Sequence, residues 1–214
     1  GGAAFENCGK VKTVKFPASL TSINITAFSD CERLSEIYIS DLVAWNGVDF
    51  WYENWETGET KSGVRSYFMD NQVQKNIYLN GEKITDLVIP AELTNISESL
   101  FCETSIQSVS YEDPYAVRSI GDGAFHGCAS LTSMEIPAGI DTLPIYFASY
   151  CTSLERIEIP DNITTIQFDA FSGCENLKRV DMADSVEDLG RDVFKGCKSL
   201  EIVELSDSIK GLYD

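Results

Sequence analysis

The chain has 214 residues, of which 43% are hydrophobic, and its 34 acidic and 16 basic residues give a formal net charge of -18 at pH 7. This hydrophobic fraction excludes a disordered chain, and the acidic charge argues against nucleic acid and anionic membranes as partners, because both attract basic proteins. No run of about 18 apolar residues is present, so no membrane insertion is predicted for this segment.

The first 40 residues hold two copies of one apolar pattern. The first copy starts at Phe5 and Cys8, and the second starts at Phe28 and Cys31. The opening letters GGAAFENC are similar to GDGAFHGC at 121–128, so the chain is expected to begin inside a repeat, as a piece of something longer. They lack the basic start and apolar stretch of a signal peptide.

Residues 41–83 interrupt the pattern and are predicted to form an insertion. The insertion contains all three tryptophans, and its segment WYENWETGETKSGV is polar and contains glycine, which predicts a loop. Residues 76–84 predict a β-hairpin, because Asn80-Gly81 is a favoured type I′ turn between two short apolar runs.

From residue 84 the pattern returns and continues to residue 214. Cys128, Cys151, Cys174 and Cys197 follow one another at intervals of 23 residues. A fixed period in this range predicts a stacked solenoid, so residues 1–214 are predicted to form a single solenoid domain, with repeats at 1–40 and 84–214.

Two coils depart from the pattern. In the coil from Phe101, Cys102 comes two residues early and Thr104 takes the usual cysteine position. At Phe147-Ala148 the usual order Ala-Phe is reversed, which predicts a local distortion where the large ring enters one residue early.

The spacing of apolar residues within a coil predicts its path. Met134 and Ile136 alternate with an outward Glu135, which indicates a short strand. Strands of successive coils run in one direction and therefore form a parallel sheet. Pro137 ends the strand, and the return segment around Phe125 predicts a turn of helix or 3₁₀ helix. The phenylalanines are expected to stack as a spine.

All seven cysteines lie in repeats, and their number is odd. They are predicted to be buried thiols that act as small hydrophobic groups. A disulfide between neighbouring coils stays open as an alternative. With no C-x-x-C motif and one histidine, no metal site and no cofactor are predicted.

Residues 117–137, VRSIGDGAFHGCASLTSMEIP, resemble the repeat of the BspA-type leucine-rich repeat family, known from bacterial surface proteins. The segments 41–45 and 78–90 are similar to an interruption found in many members. The resemblance implies an α/β fold: a right-handed leucine-rich-repeat solenoid with a parallel β-sheet on one face and short strands or helical turns on the other. It also implies a location at the cell surface or secretion, with roles in adhesion or host interaction, and no catalytic motif.

Two rows of outward residues are predicted on the strands. The first contains Lys15, Tyr38, Val88 and Ser110, followed by four acidic residues, here called the acidic row: Glu135, Glu158, Asp181 and Glu204. The second row brings Arg156 and Arg179 beside them. The residues could form a solvated, partly self-neutralised face, or they could bind a basic peptide, a cation or a polar glycan.

The aromatic insertion is the second candidate site. Trp45 is expected to anchor it, whereas Trp51, Tyr52 and Trp55 are candidate contacts for a carbohydrate or protein, or else a small core under a loop. His126, the one histidine, is expected to be exposed and without a role.

The predicted function is a non-enzymatic module that binds an extracellular protein or glycan. The alternative is a structural spacer that holds another domain and has no ligand of its own. No catalytic sequence motif supports an enzyme.

Overall fold

The computed structural model describes residues 4–54, 57–62 and 73–212. The chain divides into two compact units, one ending at Ile84 and the other starting at Thr85. We call them unit 1 and unit 2. Their boundary lies one residue beyond the predicted end of the insertion, and the single domain over 1–214 stays a prediction.

The described residues of unit 1 form seven strands, one short helix and one 3₁₀ turn. Strands β1, β3, β6 and β7 form one sheet in that order, and β2, β4 and β5 form a second. The elements are β1 (Thr13–Lys15), β2 (Ser22–Asn24), a 3₁₀ turn (Ile25–Phe28), β3 (Glu36–Ile39), α1 (Leu42–Asn46), β4 (Asp49–Glu53), β5 (Thr60–Ser62), β6 (Asn76–Leu79) and β7 (Glu82–Lys83).

The predicted insertion at 41–83 contributes strands to both sheets of unit 1. Strand β4 pairs in parallel with β2, and β6 pairs in parallel with β3. The predicted first row places Val88 next to Tyr38. This prediction is wrong, because the residue opposite Tyr38 is Tyr78. The sequence period breaks here, but the hydrogen-bonded ladder continues, because two segments of the insertion each supply a strand.

The predicted hairpin is confirmed. Strand β7 pairs antiparallel with β6, and both turn residues have positive φ angles, 54° at Asn80 and 89° at Gly81. A type I′ turn requires this left-handed geometry at both positions, and asparagine and glycine adopt it at the lowest cost.

In unit 2, residues 85–212 are described and form eleven short strands in parallel sheets. The orders are β12-β10-β8, β14-β16-β18, β11-β9 and β13-β15-β17. The strands are β8 (Asp86–Ile89), β9 (Asn95–Ile96), β10 (Ser108–Tyr111), β11 (Ser119–Ile120), β12 (Ser133–Met134), β13 (Thr142–Leu143), β14 (Arg156–Ile159), β15 (Thr165–Ile166), β16 (Arg179–Met182), β17 (Asp188–Leu189) and β18 (Ile202–Glu204).

One coil of unit 2 shows how the apolar spacing forms the core. In β14, Ile157 and Ile159 are buried while Arg156 and Glu158 are exposed, the alternation of a half-buried strand. The chain then turns after Pro160, adds strand β15 and returns through hydrogen-bonded turns. The predicted 3₁₀ segment is found in the described residues only at Ile25–Phe28 of unit 1.

The predicted phenylalanine spine is confirmed within each unit. In unit 2 the ring centroids of neighbouring coils are 5.5–5.9 Å apart from Phe101 to Phe194. In unit 1 Phe5 stacks on Phe28 at 5.1 Å. Because large apolar side chains contribute about 1.5–3 kcal/mol each when fully buried, this spine is a main source of cohesion between coils.

The distortion predicted at Phe147-Ala148 does not extend to the backbone ladder. The amide of Phe125 donates to the carbonyl of Phe147, and the amide of Ala148 donates to the carbonyl of Ala170. The next coil makes the same ladder bond, from the amide of Phe171 to the carbonyl of Val193. The rings change orientation instead. Phe147 meets Phe125 and Phe171 at 86°, whereas Phe101–Phe125 and Phe171–Phe194 are nearly parallel.

All seven cysteines lie among the described residues and are free thiols. Cys31, Cys128, Cys151 and Cys174 are buried as predicted, whereas Cys8, Cys102 and Cys197 are half-buried. The thiols are also hydrogen-bond donors. The Sγ atoms of Cys128, Cys151 and Cys174 donate to main-chain carbonyls of the preceding coil, at 3.0–3.3 Å from the oxygens of Phe101, Phe125 and Ala148. Each thiol thus joins two coils.

Thr104 occupies the cysteine position of its coil, as its spacing predicts. The residue is buried, and its hydroxyl donates to the carbonyl of Phe101 at 2.8 Å. Threonine can take this place because it is similar in size to cysteine and also carries a donor.

Candidate functional site

Three members of the acidic row lie directly opposite one another in unit 2. Glu158 pairs with Asp181, and Asp181 pairs with Glu204, on strands β14, β16 and β18. Arg156 and Arg179 form the neighbouring row, also in register. Glu135 is exposed but lies one residue beyond β12, outside the paired segment. The register that the spacing predicts is therefore present for three of the four acids.

Asp181 is the fixed centre of this face. The Nε of Arg156 lies 2.6 Å from Asp181 Oδ2, and the Nε of Arg179 binds Oδ1 of the same carboxylate. Desolvation acts to raise the pKa of Asp181, but the hydrogen bonds from Arg179 and Arg156 outweigh it and lower that pKa. Asp181 therefore stays ionised and holds both arginine side chains.

The remaining acids of the row are less constrained. Arg179 Nη2 lies 3.3 Å from Glu204 Oε1, and the Glu204 side chain is 65% exposed. In the described part of the chain, Glu135 and Glu158 make no ion pair within 4 Å. Two guanidinium groups thus face four carboxylates, and the uncompensated negative charge lies towards Glu158 and Glu135.

Of the candidate contact residues in the predicted insertion, Trp51 and Tyr52 are half-buried. Trp51 lies in β4 and lines a cavity of about 580 Å³ in unit 1, together with Ile23 and Phe28. Tyr52 lies opposite Lys61 of β5. Trp55 lies outside the described residues. A role of Trp51, Tyr52 and Trp55 in ligand contact stays a prediction.

Trp45 is an anchor, as predicted. It is buried in α1, stacks on Phe16 with ring centroids 5.0 Å apart, and meets Phe50 edge-on at 5.6 Å. The helix begins after Asp41, whose carboxylate accepts from the amide of Ala44 at 2.9 Å.

The expectation that His126 is exposed is wrong. The residue is half-buried, and its Nδ1 lies 2.6 Å from the Oγ of buried Ser149. Its ring also meets those of Tyr146 and Tyr150 edge-on, with centroids at 6.1 and 5.5 Å. The contacts come from residues about 23 positions away, so they are visible in the sequence only after the coils are aligned.

Tyr146 and Tyr150 form a surface feature that no sequence motif indicates. Both are exposed, at 40% and 56%, and both have positive φ angles, 55° and 58°. Most equivalent positions of other coils hold glycine, aspartate or asparagine, among them Gly123, Asp169 and Gly173, and the coil of Phe101 holds Ser99 and Glu103 there. A bulky residue in this left-handed region is uncommon.

The described residues contain no group of three or more histidine, cysteine or acidic side chains that could hold a metal ion. In the same part of the chain, no helix has both the length and the apolar character needed to cross a bilayer.

Comparisons with known proteins agree with this architecture. The model of the BspA-type leucine-rich repeat region matches residues 1–59 and 71–210 in six copies. A search of curated proteins finds no match.

Three solved structures have similar folds. A leucine-rich repeat protein from Bacteroides ovatus is 25% identical, with a TM-score of 0.65, and the match covers 98% of this chain and 47% of that one. A leucine-rich cell surface protein from Faecalibacterium prausnitzii is 23% identical, with a TM-score of 0.57 and coverage of 93% and 61%. A leucine-rich repeat protein from Eubacterium ventriosum is 19% identical, with a TM-score of 0.56 and coverage of 93% and 56%.

This chain spans about half to three fifths of the length of those structures. The family match covers most of the chain, and the similar structures share its parallel solenoid architecture, so the predicted leucine-rich-repeat fold is confirmed. The chain belongs to the BspA-type leucine-rich repeat family.

Proposed function

We propose that this chain is a non-enzymatic binding module, located at the bacterial surface or secreted, that binds an extracellular protein through the acidic row of unit 2. The observation that carries the proposal is the register Glu158–Asp181–Glu204, in which two arginines fix the central carboxylate. A partner with lysine or arginine side chains is the complement of this face.

The face is prepared for binding because its centre is already ordered. Arg156 and Arg179 are held by Asp181, so a ligand does not have to order them, and preorganisation lowers the entropic cost of association. Glu135 and Glu158 then offer exposed carboxylates without an ion-pair partner in the described part of the chain. Like charges across paired strands are unfavourable, and a cationic ligand would relieve this repulsion.

The alternative is a structural spacer, which would have no ligand of its own. A spacer needs solvated charge on its faces but no specific arrangement of it. The two functions therefore differ in whether the position of the carboxylates matters, and not only their number.

The experiment compares two variants with equal changes in net charge. Glu135→Gln/Glu158→Gln/Glu204→Gln removes three carboxylates of the row and keeps Asp181. The control, Glu92→Gln/Asp161→Asn/Asp207→Asn, removes three exposed carboxylates from turns outside the strands. A fluorescein-labelled octalysine peptide is titrated into each protein by fluorescence anisotropy at about 50 mM NaCl, where exposed charges are only partly screened.

The row variant is expected to bind octalysine about tenfold more weakly, while the control stays close to the wild type. Equal weakening in both variants would show a response to net charge alone and would contradict the proposal, as would unchanged affinity in the row variant. Unchanged melting temperatures confirm that both variants are folded.

A further inference from the structure

Four side chains form a row across the sheet of unit 1. Lys15, Tyr38 and Tyr78 are directly opposite one another on the parallel strands β1, β3 and β6, and Tyr78 is opposite Lys83 on the antiparallel strand β7. Opposed residues in a sheet point to the same face. Their neighbour Ile37 is buried, so this row, here called the tyrosine–lysine row, faces outward.

The two tyrosine rings stack closely on one another. Their ring centroids are 4.3 Å apart and the planes differ by 4°, while Lys15 Nζ lies 5.2 Å from the centre of the Tyr38 ring. One face of Tyr38 is thus covered by Tyr78 and the other by Lys15. The surface that Tyr38 offers to a ligand is its ring edge and hydroxyl group.

Burial is the largest cause that raises the pKa of Tyr38 above its ordinary value, and the neighbouring Tyr78 raises this pKa further. A tyrosine hydroxyl is protonated at neutral pH, and the raised pKa keeps that of Tyr38 protonated at more alkaline pH as well, so it can donate a hydrogen bond to an anionic acceptor.

The acidic residue beside this row is already bound. Glu36 accepts from Thr13 Oγ1 at 2.7 Å and pairs with Lys12 Nζ at 3.0 Å. Lys15 and Lys83 are exposed and make no ion pair with any described residue. In a chain with a net charge of -18, this row is therefore a local cationic surface.

The length of the row indicates what could cover it. Neighbouring strands are about 4.8 Å apart, so the three steps from Lys15 to Lys83 span roughly 14 Å. In an extended peptide with a rise of about 3.3 Å per residue, positions i and i+4 lie on the same side and roughly 13 Å apart. Position i+2 would then lie over the tyrosine pair.

We propose that the tyrosine–lysine row of unit 1 binds an extended acidic peptide segment that carries carboxylates at positions i and i+4 and an apolar side chain at i+2. The carboxylates pair with Lys15 and Lys83, and the apolar side chain packs on the tyrosine edges. Tyrosine suits such a surface because it combines apolar area, few rotatable bonds and a polar end. This binding is independent of the acidic row of unit 2, because the acidic row is proposed to bind a basic partner, whereas the tyrosine–lysine row binds an acidic one.

The probe is the peptide Thr-Glu-Thr-Leu-Thr-Glu-Thr with blocked ends, titrated into the isotopically labelled chain by NMR at about 50 mM NaCl. The second peptide replaces both glutamates by glutamine. The test variant is Lys15→Ala/Lys83→Ala, and the matched control is Lys10→Ala/Lys61→Ala. The control removes two other exposed lysines of unit 1.

Saturable shifts of amides in β1, β3 and β6 are expected for the wild type and the control, with about tenfold weaker binding to the test variant. The glutamine peptide should give no saturable shifts. Absence of binding to the wild type would overturn the proposal, and so would equal affinity of the two lysine variants.

Dextran sulfate is the third probe. If it binds at these strands while the acidic peptide does not, the row binds sulfated polysaccharide and the peptide proposal is wrong.

Discussion

Individual cysteines in this chain join neighbouring coils while staying chemically protected. Cys174 is buried, and its thiol donates to the carbonyl of Ala148 at 3.2 Å. Burial raises the pKa of Cys174 to about 12 and that of Cys197 to about 11. The thiolate, which is the reactive species, is therefore suppressed in the folded protein.

We expect iodoacetamide at about pH 8.5 to alkylate Cys174 at least a hundredfold more slowly in the native chain than in urea, because few thiols are ionised in the fold. Peptide mass spectrometry after timed quenching measures the rate. Half-buried Cys8 is the internal comparison and should react faster than Cys174. Equal native and unfolded rates for Cys174 would contradict its assigned burial.

The pKa of Cys174 is higher in the folded chain than in the unfolded chain, so the free energy of unfolding should change with pH in the alkaline range. The folded-state pKa of Cys174 is raised, so its contribution to stability is complete below the unfolded value of about 9 and is lost as the pH rises towards about 12. Over this range the unfolded chain releases the proton first. Urea midpoints should accordingly fall between pH 9 and pH 11.

At the scale of elements, the repeating unit is a strand, a turn, a second short strand and a turn that carries the ring. The 23-residue period also aligns charges. Lys178, Lys198 and Lys210 each pair with the glutamate 23 positions earlier, at 2.6–2.9 Å. Such exposed pairs stabilise little individually, so the main cohesion of coils has to come from the buried rings and the backbone ladder.

Phe171→Ala should lower the free energy of unfolding by about 3–5 kcal/mol, because the substitution leaves a cavity between two rings. Phe171 is fully buried, and its ring centroid lies 5.9 Å from that of Phe147 and 5.8 Å from that of Phe194. Urea denaturation followed by circular dichroism gives the difference.

The matched control for Phe171→Ala is Tyr115→Ala. Tyr115 is 64% exposed, and its loss should cost less than about 0.5 kcal/mol. A loss below about 1 kcal/mol for Phe171→Ala would mean that the spine does not determine stability.

At the scale of the whole molecule, the dominant feature is a net charge of -18 spread over a chain of 214 residues. Self-repulsion of this size destabilises a compact state. The surface ion pairs act in the opposite direction, but each contributes little. We therefore expect repulsion to dominate the response of stability to salt.

The melting temperature should rise by a few degrees as NaCl increases from about 10 to about 200 mM, because the Debye length falls from about 30 Å to below 10 Å. Differential scanning calorimetry measures the change. KCl should give the same rise, since screening does not depend on the identity of the cation. A falling melting temperature would show that attraction in the ion pairs outweighs the repulsion.

The local pattern of residues predicted much of this molecule. Alternation in Arg156–Ile159 predicts which side chains face outward, and Asn80-Gly81 predicts the hairpin. The spacing of Glu158, Asp181 and Glu204 predicts their register. These features could be predicted because each coil repeats the same path, so a residue's position within the repeat determines its neighbours.

Where the period breaks, only the tertiary structure decided which residues become neighbours. Tyr78 lies beside Tyr38 because β6 pairs with β3, a contact between residues 40 positions apart that no repeat of 23 predicts. The bonds from Arg156 and Arg179 to Asp181 and the edge-on packing of Phe147 depend on side-chain orientation. Sequence periodicity specifies the backbone ladder, whereas packing between coils selects the rotamers on it.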